Sequence, residues 1–100
     1  MDVTITKEES KTVAVLSGRL DTTNAEQFQA DIAGLFEGQE PDIELDCTNM
    51  DYTSSQGLRI FLMLQKSVTA RNGRLVMKNM KPQVKEVFDI TGFSNIIRII

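Results

Sequence analysis

The sequence predicts a single α/β domain over residues 1–100, with a mixed sheet and the element order ββαβαβαβ. Two segments of alternating apolar residues come first, and later segments of this kind alternate with segments of helical spacing. A crossover helix returns the chain in the same direction, so the strands after the first pair should run parallel. With 100 residues, 41% hydrophobic and 25% charged, the chain can bury one core without disulfides or metals.

The first two strands form a predicted hairpin. Val3 and Ile5 alternate with threonines, the polar segment EESK follows, and the run TVAVLS occupies residues 12–17. Alternation with a period of two is typical of strands, and a short polar break between two such runs is typical of a turn.

The first helix is predicted over residues 24–36. Four apolar residues recur there at helical spacing: Ala25, Phe28, Ile32 and Leu35. Thr23 and Glu26 match a capping box, in which a threonine and a glutamate three residues later satisfy free amides at the start of a helix. These two features together predict where the helix begins.

The third strand is predicted over residues 42–47, where alternate residues are apolar, namely Ile43, Leu45 and Cys47. The central helix follows it. This helix should begin near Ser54, because serine and threonine precede a long apolar run there, and it should end before the pair Asn72 and Gly73.

The last part of the chain contains one more helix between two strands. The segment RLVMK predicts a fourth strand over residues 74–78. Pro82 opens a helix that Gly92 closes, and its apolar residues are Val84, Val87 and Phe88. The segment IIRII, residues 96–100, predicts the fifth strand.

Composition argues against several classes of function. The formal net charge is −3, and the basic residues are scattered rather than clustered, which is unlike a nucleic-acid surface. The chain has no histidine, no glycine-rich phosphate loop, no CxxC pair and no GxSxG motif. We therefore predict no catalysis by this chain alone, no cofactor, no metal site and no nucleic-acid partner. A protein partner fits the composition better.

The cell compartment is predicted from what the sequence lacks. The N-terminus does not have the basic and apolar regions of a signal peptide, and no apolar run approaches the ~18 residues of a membrane span. The single cysteine, Cys47, lies in a predicted strand and is expected to be a buried thiol. These features predict a cytoplasmic protein without direct membrane insertion.

The segment DCTNMDYTSSQGLRIFL, residues 46–62, is the most informative for function. Ser54 and Ser55 stand at the predicted start of the central helix, where free amides and the helix dipole favour an anion such as phosphate. Gly57 in the first turn costs about 1 kcal/mol of helix propensity relative to alanine, which suggests a close backbone approach. The residues alone also allow the simpler interpretation that Thr53 or Ser54 caps the helix.

The central helix also has an apolar patch on a second face. Its core-facing residues are predicted to be Leu58, Phe61, Leu62 and Val68. The opposite side has Ile60 and Met63 beside the polar residues Gln56, Arg59 and Ser67. Such a mixture is typical of a protein contact, and a neighbouring helix or a second protomer could equally cover it.

Three segments together resemble the STAS domain of bacterial anti-sigma factor antagonists. They are SGRLDTTNAEQF (17–28), LDCTNMDYTSSQGLRIFL (45–62) and VFDITGFSNIIRI (87–99), which are similar to the family's first loop and helix, its phosphorylation motif and its closing turn and strand. The resemblance covers essentially the whole chain. It implies a STAS-like fold with the helices packed mainly on one face of the sheet.

The resemblance also implies a phosphorylation switch. Unphosphorylated members bind an anti-sigma factor that is a serine kinase, phosphorylated members release it, and a PP2C-type phosphatase resets them. The motif places the phosphoacceptor on Ser55, with Ser54 as second choice, although Ser54 and Gln56 replace the residues of the commonest motif. The resemblance implies that Asp21 and Thr22 also bind the partner. Together with the start and the second face of the central helix, they give the implied partner-binding residues Asp21, Thr22, Thr53, Ser54, Gln56, Gly57, Arg59, Ile60 and Met63.

Other functions and assemblies stay open from the sequence. The alternative within the same family is a constitutive docking subunit of a membrane transporter or sensory complex, without a phospho-switch. A nucleotide-binding module is a third hypothesis. The sequence also leaves open whether the protein forms a homodimer.

Overall fold

Five strands form one mixed sheet in the order β1-β2-β3-β4-β5 in the computed structural model, which describes residues 1–38 and 40–100. The strands are β1 (Asp2–Lys7), β2 (Thr12–Leu20), β3 (Asp42–Thr53), β4 (Arg74–Lys78) and β5 (Arg98–Ile99). β1 pairs antiparallel with β2, and the pairs from β2 to β5 are all parallel. The predicted hairpin and parallel strands are confirmed.

Two strands are longer than predicted and one is shorter. β2 continues to Leu20, and β3 continues from Cys47 to Thr53, because the second half of β3 pairs with the end of β2 through two register shifts. The sequence hides this extension, since exposed polar residues occupy much of it. β5 is confined to Arg98–Ile99, and the preceding isoleucines belong to the turn that follows a short 3-10 helix (Phe93–Asn95).

The helices are α1 (Ala25–Asp31), α2 (Ala33–Glu37), α3 (Ser55–Ala70) and α4 (Pro82–Ile90). The prediction of one helix over residues 24–36 was wrong, because the chain bends at Ile32, whose ψ is 10°. The Ile32 side chain is fully buried, and a β-branched residue followed two positions later by Gly34 makes a weak helix that tertiary packing can break. Both halves keep the predicted apolar spacing.

The helices cover one face of the sheet, as predicted. Phe61 of α3 contacts Phe28 of α1 and Phe88 of α4, with ring centroids 5.6 and 6.0 Å apart, so these three helices share one side. α2 joins them because Arg71, just after α3, donates hydrogen bonds to three carbonyl oxygens at the end of α2 and beyond, those of Leu35, Phe36 and Glu40. Alternate residues of β2, β3 and β4 are buried beneath this layer.

The single cysteine lies inside this core. Cys47 is completely buried, which confirms the prediction, and burial raises the pKa of its thiol to about 12. None of the helices in the described part of the chain is long and apolar enough to cross a membrane.

Candidate functional site

The site begins where β2 and β3 end side by side. Leu20 is paired with Thr53, and the Ser54 backbone N–H donates to the Leu20 carbonyl oxygen at 2.8 Å. The carboxyl ends of parallel strands meet at one edge of a sheet, where ligand and partner sites of α/β folds commonly lie. The loop that starts at Asp21 and the first turn of α3 are therefore held at the same edge.

Ser54 is the N-cap of α3. Its backbone is extended (φ −89°, ψ 173°), and its Oγ accepts a hydrogen bond of 3.2 Å from the Gly57 backbone N–H. The Ser54 residue is only 8% exposed. Thr53 is buried as well, and its hydroxyl donates to the Ser54 carbonyl oxygen. Of the two residues that the sequence offered as a cap, the structure selects Ser54.

Ser55 is the first residue of α3 and is exposed. Within residues 1–38 and 40–100 its hydroxyl takes part in no side-chain hydrogen bond. The first amides of a helix have no intrahelical carbonyl partners, and they give this end of α3 a partial positive charge. The Ser55 hydroxyl therefore stands in solvent at a position that tolerates an anion.

Gly57 allows the first turn of α3 to approach the end of β2. A Cβ atom at this residue would lie 2.5 Å from Thr53 Oγ1 and 2.6 Å from Leu20 Cδ2. The close backbone approach expected from the sequence is present. Gly57 thus fixes the depth at which the turn with Ser55 sits on the sheet.

The loop from β2 to α1 is ordered by Asp21. The Thr23 backbone N–H and hydroxyl both donate to Asp21 Oδ1, and the Asp21 N–H donates to Asn24 Oδ1 at 2.9 Å. The two bonds from Thr23, chiefly that from its hydroxyl, hold the pKa of the Asp21 carboxyl below its usual value. The predicted capping box of Thr23 and Glu26 was wrong: Asn24 is the N-cap, without a side-chain cap bond, because Asp21 already engages Thr23.

A shallow groove of about 250 Å³ runs between α1 and α3. Its lining residues are Thr22, Ala25, Glu26, Gln29, Gln56, Arg59, Ile60 and Met63. It brings five of the nine implied partner-binding residues, from the loop after β2 and from α3, onto one surface. The other four are Asp21, Thr53, Ser54 and Gly57, which lie beside or beneath this surface.

The predicted second face of α3 needs one correction. Met63 is 40% exposed, but Ile60 is only 4% exposed, because α1 packs against that side of α3. The alternative that a neighbouring helix covers the patch therefore holds for Ile60. On the core side, Leu62 is half-buried, and the fully buried residue is Leu64, which the helical wheel did not assign.

Two contacts beside the first turn of α3 were not predicted. The Arg19 guanidinium lies 4.3 Å from the centroid of the Tyr52 ring, which is 39% exposed. Lys81, at the start of α4, forms an ion pair with Asp51 of β3. The pairing of Arg19 with Tyr52 across the extended β2–β3 strands brings the first two residues together. In the sequence, the contact between Arg19 and Tyr52 was indicated only by the presence of the single tyrosine near the serines.

Comparison with known proteins identifies relatives along almost the whole chain. A model of the STAS domain family matches residues 2–100. BtrV of Bordetella bronchiseptica, assigned by its name to the anti-sigma factor antagonists, is 37% identical over 99 residues, which are 99% of this chain and 85% of BtrV. The anti-sigma-B factor antagonist of Bacillus subtilis is 27% identical over 99 residues, which are 99% of this chain and 90% of that protein.

The fold is shared with a solved anti-sigma factor antagonist, SpoIIAA. Its unphosphorylated form superposes with a TM-score of 0.81 at 24% identity, covering 99% of this chain and 88% of SpoIIAA. The phosphorylated form of Bacillus SpoIIAA gives a TM-score of 0.74 at 23% identity, covering 99% of this chain and 91% of that structure. The predicted mixed sheet with a helical layer is thus the fold of these proteins.

Proposed function

The chain belongs to the STAS domain family of anti-sigma factor antagonists, and from this premise we propose that it is a phospho-switched binding protein. While unphosphorylated it binds an anti-sigma factor that is itself a serine kinase, and this frees a sigma factor for transcription. Phosphorylation of Ser55 releases the kinase, and a PP2C-type phosphatase restores the binding form. The cycle runs in the cytoplasm, and the two partners supply its chemistry.

The observation that carries this proposal is the different environment of two adjacent serines. The Ser54 Oγ faces inward as the cap of α3 and accepts a hydrogen bond from Gly57, whereas Ser55 is exposed. A kinase must bring the acceptor hydroxyl in line with the γ-phosphate of ATP, and a buried cap cannot be presented in this way without breaking the start of the helix. Ser55 is therefore the phosphoacceptor.

The partner contacts the exposed part of the α1–α3 groove. Thr22, Gln56, Arg59 and Met63 are its exposed members among the implied binding residues. Methionine adapts its shape to a partner, and the polar residues around it give a rim. Gly57 and the buried residues near it do not touch the partner. They hold the first turn of α3 at the depth that presents Ser55.

The switch acts through local charge and bulk. Phosphoserine adds about −1.5 to −2 charges, and a helix N-terminus accommodates such a group without refolding. The same charge stands next to the groove that binds the partner. A dianion at a packed protein contact costs desolvation and repulsion, which weakens the complex.

Incubation with the anti-sigma factor kinase and ATP, followed by mass spectrometry, tests the acceptor. Ser55→Ala should take up no phosphate, while Ser54→Ala should still be phosphorylated although it loses the cap, at a cost of about 1 kcal/mol of stability. Phosphate on Ser54, or none on the parent protein, would overturn the proposal.

Calorimetric titration of the kinase tests the switch itself. Ser55→Asp should weaken binding by about tenfold or more, because it puts a negative charge beside the partner contact. A tenfold loss corresponds to about 1.4 kcal/mol of binding free energy. Ser10→Asp is the matched control, since Ser10 is exposed in the β1–β2 turn at the opposite end of the sheet and receives the same charge. Equal binding by the two variants would contradict a switch at Ser55.

A further inference from the structure

Arg59 stands one helical turn after Ser55. Both residues are exposed on α3, at positions i and i+4, whose Cβ atoms are about 5–6 Å apart in a helix. In the described part of the chain, the Arg59 side chain makes no hydrogen bond and no ion pair. No group among the described residues therefore holds its guanidinium, which lines the α1–α3 groove.

The geometry of a helix directs the Arg59 side chain towards Ser55. Cα–Cβ bonds tilt towards the helix N-terminus, so a long side chain covers the turn that precedes its own residue. An anion N-terminal to a cation at this spacing is also the favourable order, because it agrees with the helix dipole. A phosphate on Ser55 would thus lie within reach of the Arg59 guanidinium, which matches phosphate oxygens with two parallel donors.

Two other cations near this edge of the sheet already have partners, which leaves Arg59 available to pair with a phosphate on Ser55. Arg19 is stacked on Tyr52, and Lys81 is paired with Asp51. Asp21, in the loop after β2, and Glu26, across the groove, are acidic and raise the cost of a further negative charge. A dianion on Ser55 therefore faces acidic groups from the loop after β2 and from α1, while the cation on the next turn of α3 is Arg59.

We propose that Arg59 has two states: it faces the partner in the groove while Ser55 is unphosphorylated, and it pairs with the phosphate once Ser55 is modified. This inference rests on the proposed function, because it needs a phosphate on Ser55. Phosphorylation then weakens partner binding in two ways, by adding negative charge beside the groove and by withdrawing the guanidinium from the groove. The fold itself stays unchanged.

The test uses full-length protein with phosphoserine installed at position 55 by genetic-code expansion, so that no kinase is needed. The readout is the second pKa of the phosphate, measured by ³¹P NMR titration. Pairs at this spacing change the second ionisation by about 0.2–0.4 pH units, so Arg59→Gln should raise this pKa by that amount. Arg59→Lys should restore most of the difference, and 1 M salt should reduce it.

Lys66→Gln is the matched control, because Lys66 is an exposed cation of the same helix, about two turns farther from Ser55 than Arg59 is. It should leave the phosphate pKa unchanged. An Arg59→Gln titration that matches the Lys66→Gln titration would overturn the role of Arg59. Failure of the kinase to modify Ser55 would instead overturn the proposed function, and the two results are obtained independently.

Discussion

Replacement of Gly57 by alanine tests how the first turn of α3 is held on the sheet. The added Cβ would lie 2.5 Å from Thr53 Oγ1 and 2.6 and 2.8 Å from two carbon atoms of Leu20. Ordinary contacts of this kind begin near ~3.5 Å, so the turn or its neighbours must move by roughly 1 Å. Leu20 is fully buried and Thr53 is 4% exposed, so neither side chain can turn away into solvent.

The expected effect combines two opposing contributions. Forcing an extra methyl group into a packed core costs about 1–3 kcal/mol, whereas glycine to alanine in a helix returns about 1 kcal/mol of propensity. Gly57→Ala should therefore lower the free energy of unfolding by about 1 kcal/mol, within a range of about 0–2 kcal/mol. For a domain of this size, 1 kcal/mol lowers Tm by about 4–8 °C.

Gly34→Ala is the matched control. Gly34 lies in α2, and a Cβ there would meet no atom within 4 Å, so this variant gains the propensity without the clash. The difference between the two alanine variants in urea denaturation, followed by circular dichroism, isolates the cost of the clash at about 1–3 kcal/mol. Equal stabilities would refute the argument that Leu20 and Thr53 set the position of this turn.

Three further changes test the core and the charge at the end of α2. Burial raises the Cys47 pKa to about 12, while the unfolded thiol ionises near 9, so the folded state should lose about 1.4 kcal/mol relative to the unfolded state between neutral pH and pH 10. Urea titrations at both pH values should show that Cys47→Ala removes this alkaline loss of stability. Arg71→Met should destabilise the protein by about 2 kcal/mol in the same assay, because three carbonyl oxygens lose a charged donor, and Arg71→Lys should recover only part of this. Phe61→Ala should cost about 3–5 kcal/mol and lower Tm accordingly, since Phe61 is fully buried between two other rings, whereas the exposed Tyr52→Ala should cost far less.

Periodicity predicted the order of strands and helices along the chain, because alternate residues of β2, β4 and the first half of β3 are buried. The second half of β3 escaped this reasoning, since Thr48, Asn49 and Asp51 are exposed and interrupt the alternation. What makes this segment a strand is its pairing with the end of β2, through shifts in register after Val15 and Gly18. Pairing of this kind depends on a partner strand distant in sequence, which a local pattern does not contain.

The helices show the same limit, because the spacing of residues in one helix does not say which other helix packs against it. A helical wheel treats α3 as an isolated cylinder and places Ile60 on a face outside the core, whereas Ile60 is buried because α1 packs against that side of α3. The break at Ile32 is likewise a result of packing, because the buried side chain stays in the apolar stripe while the backbone bends. Local spacing thus predicts which residues are apolar partners, and the tertiary fold decides which of them are exposed.

The distinction between Ser54 and Ser55 depends on both kinds of information. Their sequence neighbours are nearly the same, yet a cap residue must turn its side chain back to the free amides, and the next residue must turn its own away. If only one serine stood at the start of the helix, the same hydroxyl would have to cap the helix and accept phosphate. In the proposed switch, two adjacent serines separate these tasks: Ser54, whose Oγ accepts from Gly57, caps α3 in both states, and the exposed Ser55 changes charge. Under that proposal, a group of about −2 charge would decide partner binding while the helix that presents it stays intact.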